Sequence, residues 1–125
     1  SVAAIATKKQ ETPVHLFDGT NLPEDDQSFD LVSAIFVLHH AGPKYQVPLL
    51  KDMIRVSKQW VVITEDLNEP EFVERNEMHD INGLFRTHKE WLALWDELQL
   101  EVVATDLCNG KGTPQQYYLL RKKLD

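Results

Sequence analysis

The segment Phe29 to His40, Phe-Asp-Leu-Val-Ser-Ala-Ile-Phe-Val-Leu-His-His, constrains the fold more than any other part of the chain. Its middle is a nearly unbroken apolar run rich in β-branched and aromatic residues. Such a run between turn signals predicts a strand buried on both faces, as in a parallel sheet covered by helices. A buried helix is the competing reading, but turn residues crowd both ends and the run is short for a helix. His39 and His40 stand at the carboxyl end of the run, and in open α/β sheets ligands bind at that end.

The rest of the chain is placed relative to this segment. Val2 to Ala6 is short and apolar and fits a buried strand or the tail of a helix. Val14 to Phe17 reads as another strand, closed by the turn signal Asp18-Gly19. Thr20 to Ser28 is acidic and turn-rich, an exposed loop. After Gly42 and Pro43 the apolar positions Val47, Leu50 and Ile54, with Leu49, Met53 and Val56, have helical spacing. Pro48 suits only a first turn, so this helix is expected to begin near Gln46 or Val47. Trp60 to Thr64 is a further strand, with Glu65 and Asp66 at its end. Pro70 can open a short helix to Met78, and His79 to Arg86 is irregular. Thr87 and Glu90 form a capping box for a helix that aligns Trp91, Leu94, Trp95 and Leu98. Val102 to Ala104 and Gln116 to Leu120 are strands joined through the loop Asn109 to Pro114. That connection is too brief for a crossover, so the last two strands are expected to be antiparallel. The predicted order β-β-β-α-β-α-α-β-β implies an α/β fold, helices on a mostly parallel sheet.

A chain of 125 residues is expected to form a single domain. The net charge of -7 argues against a nucleic-acid footprint, and Arg121-Lys122-Lys123 reads as a solvated end. Cys108 is the one cysteine, which excludes an internal disulfide and suits a reducing, cytoplasmic setting. No apolar segment reaches the roughly 20 residues of a membrane span, and no signal peptide is visible. His15, His79 and His88 lack ligand spacing, and adjacent strand residues face opposite ways, so His39 and His40 are not expected to share a metal.

Three groups of residues together resemble the Rossmann-like S-adenosylmethionine-dependent methyltransferases of the small-molecule type. They are Phe17-Asp18-Gly19 through Leu22-Pro23 with Gln27 to Val32; Val37-Leu38-His39-His40 with Ile54 to Ser57; and Phe85-Arg86-Thr87 with Glu90-Trp91 and Tyr117 to Leu120. The resemblance implies that this chain is the later part of such a domain, with the first family strand missing. It implies a cofactor site in which Asp18 accepts from the adenine amino group and Gly19 or Thr20 offers a backbone amide. Ala34 and Ile35 match the bend whose carbonyl holds the methionine end. It places His39, His40 and Asp66 at the methyl-transfer cleft, and Phe85 and Arg86 in the segment that covers substrate. The expected catalytic bases are His40 first and Asp66 second, with His39 and Arg86 as substrate contacts.

Two departures weaken the expected hold on S-adenosylmethionine. The glycine-rich turn after the first family strand has no counterpart, since Gly110-Lys111-Gly112 precedes a strand rather than opening a helix and reads as a hairpin loop. Ala6 stands where relatives carry an acid for the ribose. The family's sheet without its first strand leaves a gap beside the Phe29 strand. That gap predicts either direct closure by Val2 to Ala6 or pairing with a second copy of the chain.

Two functions follow. One is methyl transfer to a small organic or lipid-like acceptor. The other is a non-catalytic methyltransferase-like remnant used for binding or assembly. Each site residue also has a plain structural reading: Asp18 as a turn residue, the histidines as packing or backbone partners, Arg86 as loop surface. A flavodoxin-like binding domain is disfavoured because no phosphate-binding turn exists.

Overall fold

The computed structural model describes residues 13–69, 83–108 and 114–123. Their elements are β1 (Phe29–Ile35), α1 (Leu38–Val56), β2 (Ser57–Asp66), α2 (His88–Glu97), β3 (Leu100–Cys108) and β4 (Gln115–Lys122). The sheet order is β1-β2-β4-β3. β1 pairs with β2 in parallel, and β4 is antiparallel to both β2 and β3. Three strands therefore run one way and the last runs against them, the expected α/β arrangement.

Side-chain alternation decides what each face does. Val61, Ile63 and Glu65 of β2 share a face with their β4 partners Leu120, Tyr118 and Gln116, and all are buried. Both helices cover this face: α1 meets it at His39 against Glu65, and α2 at His88 and Trp95 against Tyr118. Leu38, Leu49, Leu50 and Met53 of α1 and Trp91, Leu94 and Trp95 of α2 complete the core. The capping box of α2 is formed as the sequence predicts, with Glu90 N donating to Thr87 Oγ1 at 3.1 Å and Thr87 N to Glu90 Oε1 at 3.0 Å.

Four expectations are corrected. The Phe29 segment is extended only to Ile35, and it is not buried on both faces: Leu31 and Ile35 are each 50% exposed. Their face of the sheet lies opposite both described helices. The run ends at Phe36, whose φ of 55° turns the chain sharply; a bulky residue in the left-handed region costs on the order of 1–3 kcal/mol. Phe36 N nevertheless donates to Thr64 O at 2.9 Å, so the corner stays tied to β2. Second, α1 begins at Leu38, not near Gln46. Gly42, with φ 73° and ψ 179°, breaks it into a short first turn and a longer piece beginning at Pro43. A leading proline costs that piece nothing, because the first helical amide has no intrahelical partner; Pro48 is then carried inside the helix. His39 and His40 therefore lie in a helical turn rather than on alternating faces of a strand.

Third, Val14 to Phe17 is not a strand. Fourth, Arg121 and Lys122 belong to β4 and are half-buried rather than a solvated end. Lys122 Nζ donates to the carbonyls of Ile54 and Ser57, both at 2.8 Å, and so pins the end of α1 to β4. The strand proposed at Val2 to Ala6, the helix from Pro70 to Met78 and the Gly110–Gly112 loop lie outside the described residues. The acidic loop after Asp18 is held down by Arg55. Its guanidinium contacts Asp52 at 2.7 Å, Asp26 at 2.8 Å and the carbonyls of Glu24 and Leu22 at 3.0 Å.

Candidate functional site

The Asp18 turn and the start of α1 meet at a cavity of about 290 Å³ lined by Phe17, Gly19, Val37, His40, Ala41, Tyr45 and Leu49. Asp18 builds the turn. Its Oδ1 accepts from the amides of Thr20 at 2.9 Å and Asn21 at 2.7 Å, and its Oδ2 accepts from the Asn21 side chain at 3.2 Å. These bonds, the Asn21 amide first, hold the carboxyl down at about 2. Gly19 follows with φ +99° and open space where a Cβ would stand. Backbone conformation, not crowding, therefore calls for glycine there.

The other wall depends on a buried polar network. His39 is buried, and its Nδ1 lies 2.6 Å from Glu65 Oε2. Its backbone amide donates to Glu65 Oε1 at 3.2 Å. No side chain at Val37 caps this helix start; the carboxylate from β2 serves one of its orphan amides instead. Burial raises the Glu65 carboxyl above its usual range, and the His39 hydrogen bond opposes that rise. The His39 ring stacks on Phe85 at 4.7 Å and lies 3.9 Å from the His40 ring. Gln46 Nε2 donates to the carbonyls of Leu38 and Leu84, both at 3.0 Å. Arg86 Nε donates to Gln46 Oε1 at 2.7 Å, and its guanidinium sits over the Trp91 ring at 5.5 Å. The segment before α2 is thereby clamped to the first turn of α1.

The structure thus gathers Gly19 and His40 around one cavity, with Asp18 and Thr20 shaping its turn. It places His39 and Arg86 in the network behind it. Ala34 is buried in the core, and Ile35 points to the exposed face; neither lines the cavity. Asp66 also stands apart from it and accepts from the Gln115 side chain at 3.2 Å. Glu65 and Gln46 are the polar residues that the sequence reading passed over. Each had a signal: Glu65 continues the alternation Val61, Ile63, and Gln46 continues the helical spacing Leu49, Leu50, Met53. A polar residue in register with core positions must find a partner there. Among the described residues no group of three or more His, Cys, Asp and Glu side chains is placed to hold a metal.

Comparison with known proteins bears on the family and the fold. The methyltransferase domain family matches residues 1–63, a span that includes the Asp18 turn, β1 and His39-His40. Comparison with curated proteins gives no match. Among solved structures, an S-adenosylmethionine-dependent methyltransferase from Methanosarcina mazei superposes with TM-score 0.76 at 16% identity, over 99% of this chain and 77% of that one. A possible histamine N-methyltransferase from Thermotoga maritima gives 0.73 at 18%, over 96% and 69%. The magnesium protoporphyrin IX methyltransferase of Synechocystis, with bound S-adenosylhomocysteine, gives 0.67 at 7%, over 96% and 57%. At these identities the structures speak for the fold, and the family match supplies the assignment: the chain belongs to the methyltransferase domain family.

Proposed function

We propose that the cavity between the Asp18 turn and α1 receives the nucleoside end of S-adenosylmethionine, and that His40 on its rim acts as base in methyl transfer to a small organic or lipid-like acceptor. One observation carries this reading: Gly19 from the turn and His40 from α1 line the same cavity. Its volume lies at the lower edge of the ~300–1,000 Å³ usual for small-molecule sites, suited to part of the cofactor rather than all of it. Phe17 and Tyr45 offer aromatic surface to a purine, with Val37 and Leu49 as further apolar wall. The Asp18 carboxylate orders the amides of Thr20 and Asn21, and Gly19 keeps the turn open.

The bound cofactor would supply an electrophilic sulfonium methyl. The chain's own contribution is orientation, plus removal of a proton from the acceptor where it carries one. His40 reaches the rim because Glu65 and Gln46 fix the turn that carries it. His39 and Arg86 act in this reading through that network, as positioning residues. Ala34 and Ile35 lead the backbone into the corner at Phe36, and Asp66 stays as the more distant base.

Calorimetric titration of the full chain with S-adenosylmethionine and S-adenosylhomocysteine tests the reading. Binding that is lost when Gly19→Val fills the cavity mouth supports it, and His40→Ala should retain binding while losing transfer. No heat at millimolar ligand overturns it for this chain. A second reading, a binding or assembly module without catalysis, is favoured by the Asp18 carboxylate, whose two oxygens are engaged within its own turn. The half-exposed Leu31 and Ile35 further support pairing of this chain with a second copy.

A further inference from the structure

A second cavity, of about 550 Å³, lies under the start of α2. Leu67 and Glu69 from the segment leaving β2, His88 from α2, Thr105, Asp106 and Leu107 from β3, and Gln116 from β4 line it. Among the described residues it shares no lining residue with the His40 cavity. Its volume falls within the ~300–1,000 Å³ of small-molecule sites, and apolar walls with a few converging polar groups are their usual composition.

The sequence builds this cavity through register. Thr105 and Leu107 alternate on β3 opposite Tyr118 and Gln116, and so share the face covered by α2. Asp106, between them, also borders the cavity, and its carboxylate accepts from the Leu107 amide at 2.8 Å. His88 Nδ1 lies 2.7 Å from the hydroxyl of the fully buried Tyr118, which holds the imidazole in place. Burial, and after it the nearby Glu69 charge, pushes the Tyr118 phenol above its ordinary range; Glu69 is thus close enough to be felt there.

The polar groups around the cavity are not balanced between donors and acceptors. The Gln116 amide nitrogen donates to Thr105 Oγ1 at 2.7 Å, and that hydroxyl donates to Tyr117 O at 2.8 Å. Gln116 is buried, and its Oε1 has no hydrogen-bond partner among the described residues. Glu69 spends Oε1 on the His88 amide at 2.9 Å and keeps a second carboxylate oxygen. Among the described residues, no lysine or arginine lines the cavity. Acceptors with a net negative charge, set in apolar walls, select a charged donor on an apolar body.

We propose that this cavity binds a small primary amine in its ammonium form, with the head between Glu69 and Gln116 and the apolar body against Leu67, Leu107 and Pro114. The proposal does not depend on the reading of the His40 cavity, and titration with S-adenosylmethionine tests that reading separately.

The probe is 2-phenylethylamine, titrated into the full chain by calorimetry and followed by amide NMR. Saturable binding is expected, with shifts concentrated at Thr105, Leu107, Gln116 and His88. Phenylacetate and 2-phenylethanol, of similar shape without the positive charge, should bind at least about tenfold more weakly, as the loss of one charged hydrogen bond predicts. Glu69→Gln keeps an acceptor for the His88 amide but removes the charge, and should weaken the amine by about tenfold or more. Gln116→Leu, checked for folding by its NMR spectrum, should weaken it as well. Asp30→Asn, at an exposed position of β1 away from the cavity lining, should leave affinity within roughly twofold, in the range of ordinary surface changes. Equal binding of phenylacetate, an unchanged affinity in Glu69→Gln, shifts centred on His40, or no saturable binding would each overturn the proposal.

Discussion

β1 and the β2–β4 pair are similar in sequence and opposite in fate. β1 opens the longest apolar run of the chain, Leu31 to Leu38 broken only at Ser33, yet Leu31 and Ile35 are half exposed. β2 and β4 are more mixed, with Glu65 and Gln116 in their midst, yet Val61, Ile63, Glu65, Tyr118 and Leu120 are fully buried. Hydrophobicity of a strand reports what it is suited to be packed against. Burial depends on whether a partner surface is supplied, and both described helices supply theirs to one face only.

This contrast can be broken, and the largest effect should come from its buried side. Trp95→Ala removes the ring that stacks on Trp91 at 5.0 Å and meets Tyr118 edge-on at 5.5 Å. A loss of about 3–5 kcal/mol is expected, a large part of the stability of a domain this size, read from urea midpoints or from the near-ultraviolet dichroism of the tryptophans.

Glu65 sharpens the comparison because it is polar at a core position. Glu65→Ala strands the His39 amide and ring, and should cost about 3 kcal/mol. Glu65→Gln keeps an acceptor and should cost under about 1 kcal/mol at acid pH. The pH dependence has a fixed sign. Burial raises the folded-state value of Glu65, so folding favours its protonated form. Its contribution is full below the ordinary glutamate range and is lost as pH rises through the raised value. Urea midpoints of wild type relative to Glu65→Gln should therefore fall as pH increases; a rising difference would mean that the ion pair with His39 outweighs burial.

On the exposed side, Leu31→Ser with Ile35→Ser should cost under about 1 kcal/mol together, since much of that surface is already in water. A loss comparable with Trp95→Ala would show that the β1 face is covered in solution. Sedimentation at rising concentration would then tell whether a second copy covers it.

The smallest effect belongs to the Asp18 turn. Its carboxyl is lowered to about 2, so the order it confers is present above the ordinary aspartate range and lost as pH falls through that value. The protection of the Thr20 and Asn21 amides from exchange, relative to their free rates at the same pH, should fall over that acid interval in wild type. In Asp18→Ala, which leaves no acceptor, that protection should be absent throughout.

What the sequence by itself determined is local. The capping box at Thr87 and Glu90, the helical spacing of Trp91, Leu94 and Trp95, the turn at Asp18-Gly19 and the antiparallel last strand all follow from chemistry within a few residues. The family resemblance was legible for the same reason, in short runs such as Val37 to His40. Only the tertiary structure decided that Phe36 turns the chain, that His39 sits in a helix facing Glu65 rather than at a strand end, and that the strand opening the longest apolar run lies half in water. These outcomes depend on which surface another element brings into contact, and neither periodicity nor composition along one segment carries that information.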